Sequence, residues 1–134
     1  MTEFTQAYLS TLYKVEGLTD PIQLGKKNPE LDTILTKYNH ENWCFMTAWN
    51  PHSNLLDLAT NRKRNEDLLS EIKTTAKYIV LNGVGESPDV SWSEESFLVL
   101  GIDKDTAQYL ARKYEQNAIV IGVREGISEL VMVQ

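Results

Sequence analysis

Apolar and polar positions divide this chain into stretches of helical and of strand-like period. In residues 3–13 (EFTQAYLSTLY), Phe4, Tyr8 and Leu12 recur at helical spacing behind Thr2, a residue type suited to capping, which predicts a short amphipathic helix. Gly17, Asp20-Pro21 and Gly25 interrupt the pattern between residues 15 and 27, an irregular segment by turn chemistry. Asn28 followed by Pro29 opens a second helix whose stripe is Leu31, Ile34, Leu35 and Tyr38 and whose end falls near Asn39. Residues 43–49 carry almost no charge and favour extended backbone, so they predict a strand buried on both faces, stopped by Pro51. In the helix that follows, Leu58, Asn61, Asn65, Leu68 and Ile72 share one face, opposite Lys63, Asp67 and Ser70. Two asparagines therefore point inward among leucines.

Residues 76–81 (AKYIVL) predict a second strand, 82–88 a turn-rich connection, and 95–102 (ESFLVLGI) a third strand. Asp103 or Asp105 caps a helix with Ala107, Leu110, Ala111 and Tyr114 inside, and the runs at 118–123 and 129–133 flank Glu125-Gly126 as a closing hairpin. The expected architecture is a single α+β domain over residues 1–134: a helical part to residue 42, then β-α-β-β-α-β-β from 43. A ferredoxin-like order in an antiparallel or mixed sheet is the simplest topology with that succession, because each crossover can be right-handed.

That topology brings the end of the first strand beside the starts of the third and fourth. Asn50, then Asn61, Arg62 and Asn65, then Trp92, Glu94, Glu95 and Ser96, then Gln116 and Asn117 lie at those points, so four segments distant in sequence meet at one rim of the sheet. The same segments carry a resemblance: TAWNP at 47–51, NRKRNEDL at 61–68, WSEESFLVLGI at 92–102 and LARKYEQNAIV at 110–120, with YLSTLYKV at 8–15, are similar to the bacterial family catalogued as domain of unknown function 3293. The resemblance implies a shared core built from these segments and a bacterial origin. It implies no activity and no catalytic residue.

Composition limits the function classes. Of 134 residues, 42% are apolar and 24% charged, as in an ordinary folded domain. The net charge of −6 argues against a general affinity for nucleic acid or an anionic membrane, both of which need a basic surface. No apolar run approaches a bilayer span, and no leader pattern opens the chain. The one cysteine, Cys44, sits in an apolar strand, which predicts a buried, unreactive thiol and makes the cytoplasm the expected compartment. His40, His52 and Cys44 have no zinc spacing, GVGE at 83–86 matches no nucleotide loop, and no cofactor or metal is expected.

The candidate ligand-binding residues are therefore Asn50, Asn61, Arg62, Asn65, Glu94, Glu95 and Gln116. Each also has a purely structural reading: Asn50 as a turn before proline, Asn61 and Asn65 as a satisfied amide pair, and Gln116-Asn117 as a helix exit with asparagine in the left-handed position. Glu94 and Glu95 are neighbours on a strand and point to opposite faces, so they cannot form one acid/base pair, and one of them is the expected partner of Arg62. Two functions follow. The first is a binding or regulatory module whose polar rim, flanked by Trp49 and Trp92, holds a small molecule or a protein partner's polar group. The alternative is a small enzyme for a phosphate-bearing or nucleotide-like substrate, with Arg62 as anion clamp and Glu94 or Glu95 as acid/base. The sequence has no nucleophile paired with a base, which favours the first. Oligomeric state is left open.

Overall fold

A computed structural model describes residues 3–133. In chain order the elements are α1 (Glu3–Ser10), β1 (Leu12–Val15), α2 (Pro29–Lys37), β2 (Asn42–Met46), a tight turn at Pro51–Ser53, α3 (Leu58–Lys73), β3 (Ile79–Glu86), β4 (Ser93–Leu100), α4 (Lys104–Lys113), β5 (Ala118–Val123) and β6 (Glu129–Met132). The helix starts follow from their caps. Asn28 accepts from the Leu31 N–H at 3.0 Å with Pro29 behind it, and Asp57 and Asp103 accept from the N–H groups of Thr60 and Thr106, each at 2.7 Å. The expected Thr2 cap lies outside the described residues.

All strand pairings are antiparallel, and the sheet runs β1-β3-β4-β2-β5-β6. Alternation along the strands sends side chains to two cores. Cys44, Met46, Phe97, Val99 and Ile119 face Leu68 and Ile72 of α3 and Ala107, Leu110 and Ala111 of α4. Trp43, Phe45, Leu98, Leu100 and Val120 face Leu31 and Leu35 of α2, with Tyr13, Val15 and Ile22 beside them. Residues such as Leu35 and Leu68 are wholly buried, and each such side chain contributes about 2 kcal/mol by removal from water.

The six-stranded order differs from the ferredoxin-like order expected from sequence. The helix expected over 3–13 ends at Ser10, and Leu12–Val15 pairs instead along β3, so the part before residue 42 is not wholly helical. The extra pairing is available because β3 runs on to Glu86 through residues that read as a turn. Gly83 and Gly85 are strand residues there: a Cβ at Gly83 would stand 2.7 Å from the Lys14 carbonyl and 2.8 Å from the Phe45 ring, so only glycine lets β1 and Phe45 approach. Tyr13 packs edge-on to Phe45 above these glycines, with ring centroids 5.1 Å apart. The strand expected over 43–49 ends its ladder at Met46, and β4 starts at Ser93, two residues earlier than expected.

Candidate ligand-binding site

Beyond Met46 the chain leaves β2 without a neighbouring strand, and side chains take over the ladder. The Ala48 N–H donates to Asn65 Oδ1 at 2.8 Å, and the Ala48 carbonyl accepts from Arg64 Nε at 2.7 Å. The Trp49 N–H donates to Thr47 Oγ1 at 3.1 Å, the Trp49 carbonyl accepts from Gln116 Nε2 at 3.0 Å, and the Asn50 N–H donates to Asn61 Oδ1 at 2.8 Å. Asn65 also donates to the Glu95 carbonyl at 2.8 Å, which ties α3 to β4. Asn61 and Asn65 can serve the N–H groups of Asn50 and Ala48, two residues apart, because a spacing of four places them one helical turn apart on the inner face of α3. Buried amides of this kind stabilise only when every group is paired, and no buried side-chain nitrogen or oxygen among the described residues lacks a partner.

The held segment turns a sharp corner. Asn50, His52 and Ser53 all have positive φ (45°, 50° and 63°), a region that costs non-glycine residues free energy. Compensation comes from Asn50 Oδ1, which accepts from Asn61 Nδ2 at 2.8 Å and from the Leu56 N–H at 3.0 Å, and from the His52 N–H, which donates to the Glu115 carbonyl at 2.6 Å. The corner sets residues 53–58 off from the sheet and opens a cavity of about 550 Å³ beneath α1. Tyr8 and Thr11 close one side, Trp49 and Trp92 another, and Leu55, Leu56 and Leu58 stand at the mouth. These leucines are exposed, Leu55 at 87% and Leu58 at 52%, a concentration of apolar surface that folding alone does not bury. Tyr8, Thr11, Trp92 and Glu94 also line a smaller hollow of about 50 Å³ that reaches Phe45 and Gly85.

Among the described residues, Glu94 is the one charged side chain in the cavity wall. It sits on the β4 face opposite to Glu95, its backbone partner in β3 is Gly85, and no ion pair among the described residues includes it. Burial pushes its carboxyl up to about 7, against a smaller opposing effect of hydrogen bonding from Asn50. Burial likewise raises the Tyr8 phenol to about 12, with the Glu94 charge acting in the same direction. The cavity thus pairs an apolar, aromatic wall with one carboxyl that changes charge near neutrality, a combination characteristic of ligand sites.

The expected residues fall into three groups. Asn50, Asn61 and Glu94 line the cavity. Asn65 and Gln116 stand behind it, bonded to the backbone of Ala48 and Trp49. Arg62 and Glu95 lie on the other face of β4, outside the cavity lining, as a half-exposed ion pair with Nη2 to Oε2 at 3.2 Å. The left-handed residue at the end of α4 is Glu115 (φ 59°) and not Asn117, which instead donates to Ser53 Oγ at 2.9 Å. Sequence reasoning missed Tyr8, Thr11, Thr47 and Arg64. Arg64 stands in the charged NRKRNEDL run beside the exposed Lys63, yet its guanidinium spans the carbonyls of Ala48 and Tyr114. A usable signal was the LL-D-L run at 55–58, three leucines in a segment with no period to bury them. Among the described residues no group of three or more His, Cys, Asp or Glu side chains could hold a metal ion, and no helix is long and apolar enough to cross a membrane.

The family model described as "Protein of unknown function (DUF3293)" matches residues 46–119, more than half of the chain and including β4 with Glu94, α3 and the gripped corner. No curated protein and no solved structure matches.

Proposed function

We propose, for a chain that belongs to the DUF3293 family of proteins of unknown function, that it is a small-molecule binding or regulatory module whose site is the cavity beneath α1. The observation that carries this reading is the cavity itself: about 550 Å³, walled by Tyr8, Trp49, Trp92 and three leucines, with the half-buried carboxyl of Glu94 in its lining. That volume lies within the usual range for small-molecule sites, roughly 300–1,000 Å³. In this reading Asn61, Asn65 and Gln116 serve the site indirectly, by fixing the backbone that carries Trp49 and Asn50. Arg62 is engaged with Glu95 away from the cavity, so the alternative of a phosphate-handling enzyme has no clamp there.

A cytoplasmic, bacterial setting goes with this reading, supported by the lone buried Cys44 and the family's sequence pattern. A split β-α-β reading of the four inner strands is supported by α3 and α4, each of which joins strands with one other strand between them.

The test is a fragment and metabolite screen by thermal shift, followed by nitrogen-edited NMR of the three tryptophan indoles. Ligands of the site are expected to move the Trp49 and Trp92 signals and leave Trp43, which packs against Gly122 elsewhere, in place. Leu58→Trp, at the exposed mouth, should abolish the shifts. Binders that perturb Trp43 alone, or that ignore Leu58→Trp, would overturn the assignment.

A further inference from the structure

We infer that the ligand of this cavity carries an organic ammonium group, seated between the Glu94 carboxylate and the rings of Trp49, Trp92 and Tyr8. The inference rests on the cavity being a ligand site, and adds the chemical class of what enters it.

Three observations converge on a cation. Glu94 is the only residue among the described lining residues that carries a charge, and the basic side chains described around the site are committed elsewhere: Arg62 to Glu95, Arg64 to Glu115 and the carbonyls of Ala48 and Tyr114, and Lys14 to Glu86. An anionic ligand would meet this carboxylate with no compensating charge among the described lining residues. The wall offers three aromatic rings, whose negative faces attract ammonium groups, most strongly where water is excluded. The leucines at the mouth would cover the apolar remainder of such a molecule.

The titratable and polar groups packed around Glu94 are consistent with this. From α1 comes the Tyr8 phenol, from β1 the Tyr13 phenol, and both feel the Glu94 charge as a repulsion that keeps them protonated. From the corner comes the Asn50 amide, which hydrogen-bonds the carboxylate. β3 contributes Gly85, with no side chain, directly opposite. None of these supplies a positive charge. Burial therefore holds the carboxyl partly protonated near neutrality, and an entering ammonium group would take the place of that proton.

The experiment uses the full chain with three matched probes, 2-phenylethylammonium, its neutral isostere 2-phenylethanol and the anion 3-phenylpropionate, titrated by calorimetry at pH 6 and pH 8. The ammonium probe is expected to bind at least tenfold more tightly than the alcohol at pH 8. Its affinity should fall about tenfold at pH 6, in proportion to the ionised fraction of a carboxyl that titrates near 7. Glu94→Gln should erase both the preference and the pH dependence, and Trp92→Ala should weaken both probes. Equal binding of alcohol and ammonium, or tighter binding of 3-phenylpropionate, with either lost in Leu58→Trp, would overturn the cation and leave the cavity as a ligand site. Failure of all three probes to bind at millimolar concentration would overturn both.

Discussion

Replacing Glu94 by glutamine keeps the size of the side chain and removes its charge, so it isolates what the half-buried carboxylate does to the fold. In the native state the carboxyl holds its proton up to about pH 7, whereas the ordinary value for the group is 4.5. Between those values the folded chain binds a proton that the unfolded chain has released, so stability falls as pH rises. The contribution of this group is complete below pH 4.5 and is lost as the pH climbs through 7. At about 1.4 kcal/mol per pH unit, the full displacement corresponds to about 3 kcal/mol, and the residual exposure of the side chain trims the change between pH 5 and pH 8 to about 2 kcal/mol. Urea unfolding of both proteins, followed by tryptophan fluorescence and circular dichroism, measures it directly. Glu94→Gln should be close to the parent in stability at pH 5 and about 2 kcal/mol more stable at pH 8, since every other titrating group is common to the two proteins and cancels in the difference. A difference independent of pH across this interval would refute the reasoning, and one that grew toward low pH would reverse its sign.

Asn65→Ala, which leaves the Ala48 N–H without its partner and the Glu95 carbonyl with the Thr47 hydroxyl alone, should cost about 2–3 kcal/mol in the same assay, whereas Arg62→Ala, which breaks a half-exposed ion pair, should cost less than about 1 kcal/mol. Similar losses would contradict the division between gripping and surface residues. Gly83→Ala should lower stability by about 1–3 kcal/mol, because its Cβ meets backbone and ring inside 3 Å, while Gly85→Ala, with nothing nearer than 3.7 Å, should be close to neutral in a thermal melt. Equal effects at the two positions would refute the close-approach argument. Cys44 is fully buried and burial holds its thiol well above the ordinary range, so Ellman's reagent should label it only as fast as the chain unfolds; rapid labelling of native protein would show the β2 core to be open.

Much of the frame was legible because period and burial coincide in it. The β2 run with no charge, the inward Asn61 and Asn65 among leucines, and the opposite facing of Glu94 and Glu95 each follow from a fixed repeat of the backbone. What escaped reading depends on partners rather than on period. β1 is four residues long and follows directly on a helical pattern, so only its pairing with β3 makes it a strand. Gly83 and Gly85 look like turn residues until Phe45 is known to press on them. Arg64 is indistinguishable from the exposed Lys63 beside it until the carbonyls of Ala48 and Tyr114 are placed within its reach. The cavity was half legible: Asn50, Asn61, Glu94 and the two tryptophans come from segments that topology joins at the rim, but Tyr8 and Thr11 arrive from an N-terminal part whose docking no local pattern encodes.

The grip on residues 48–50 acts on main-chain N–H and C=O groups and on no side chain of Ala48 or Trp49. The residue at position 49 can therefore change without loosening any of the bonds that hold the corner in place. Substitution there would alter the shape and polarity of the cavity wall while the anchoring of the wall stayed as it is. A protein built this way can acquire a new ligand preference by one exchange at Trp49 or Trp92 and inherit a ready-made support, so recognition and foldability can be varied as separate traits.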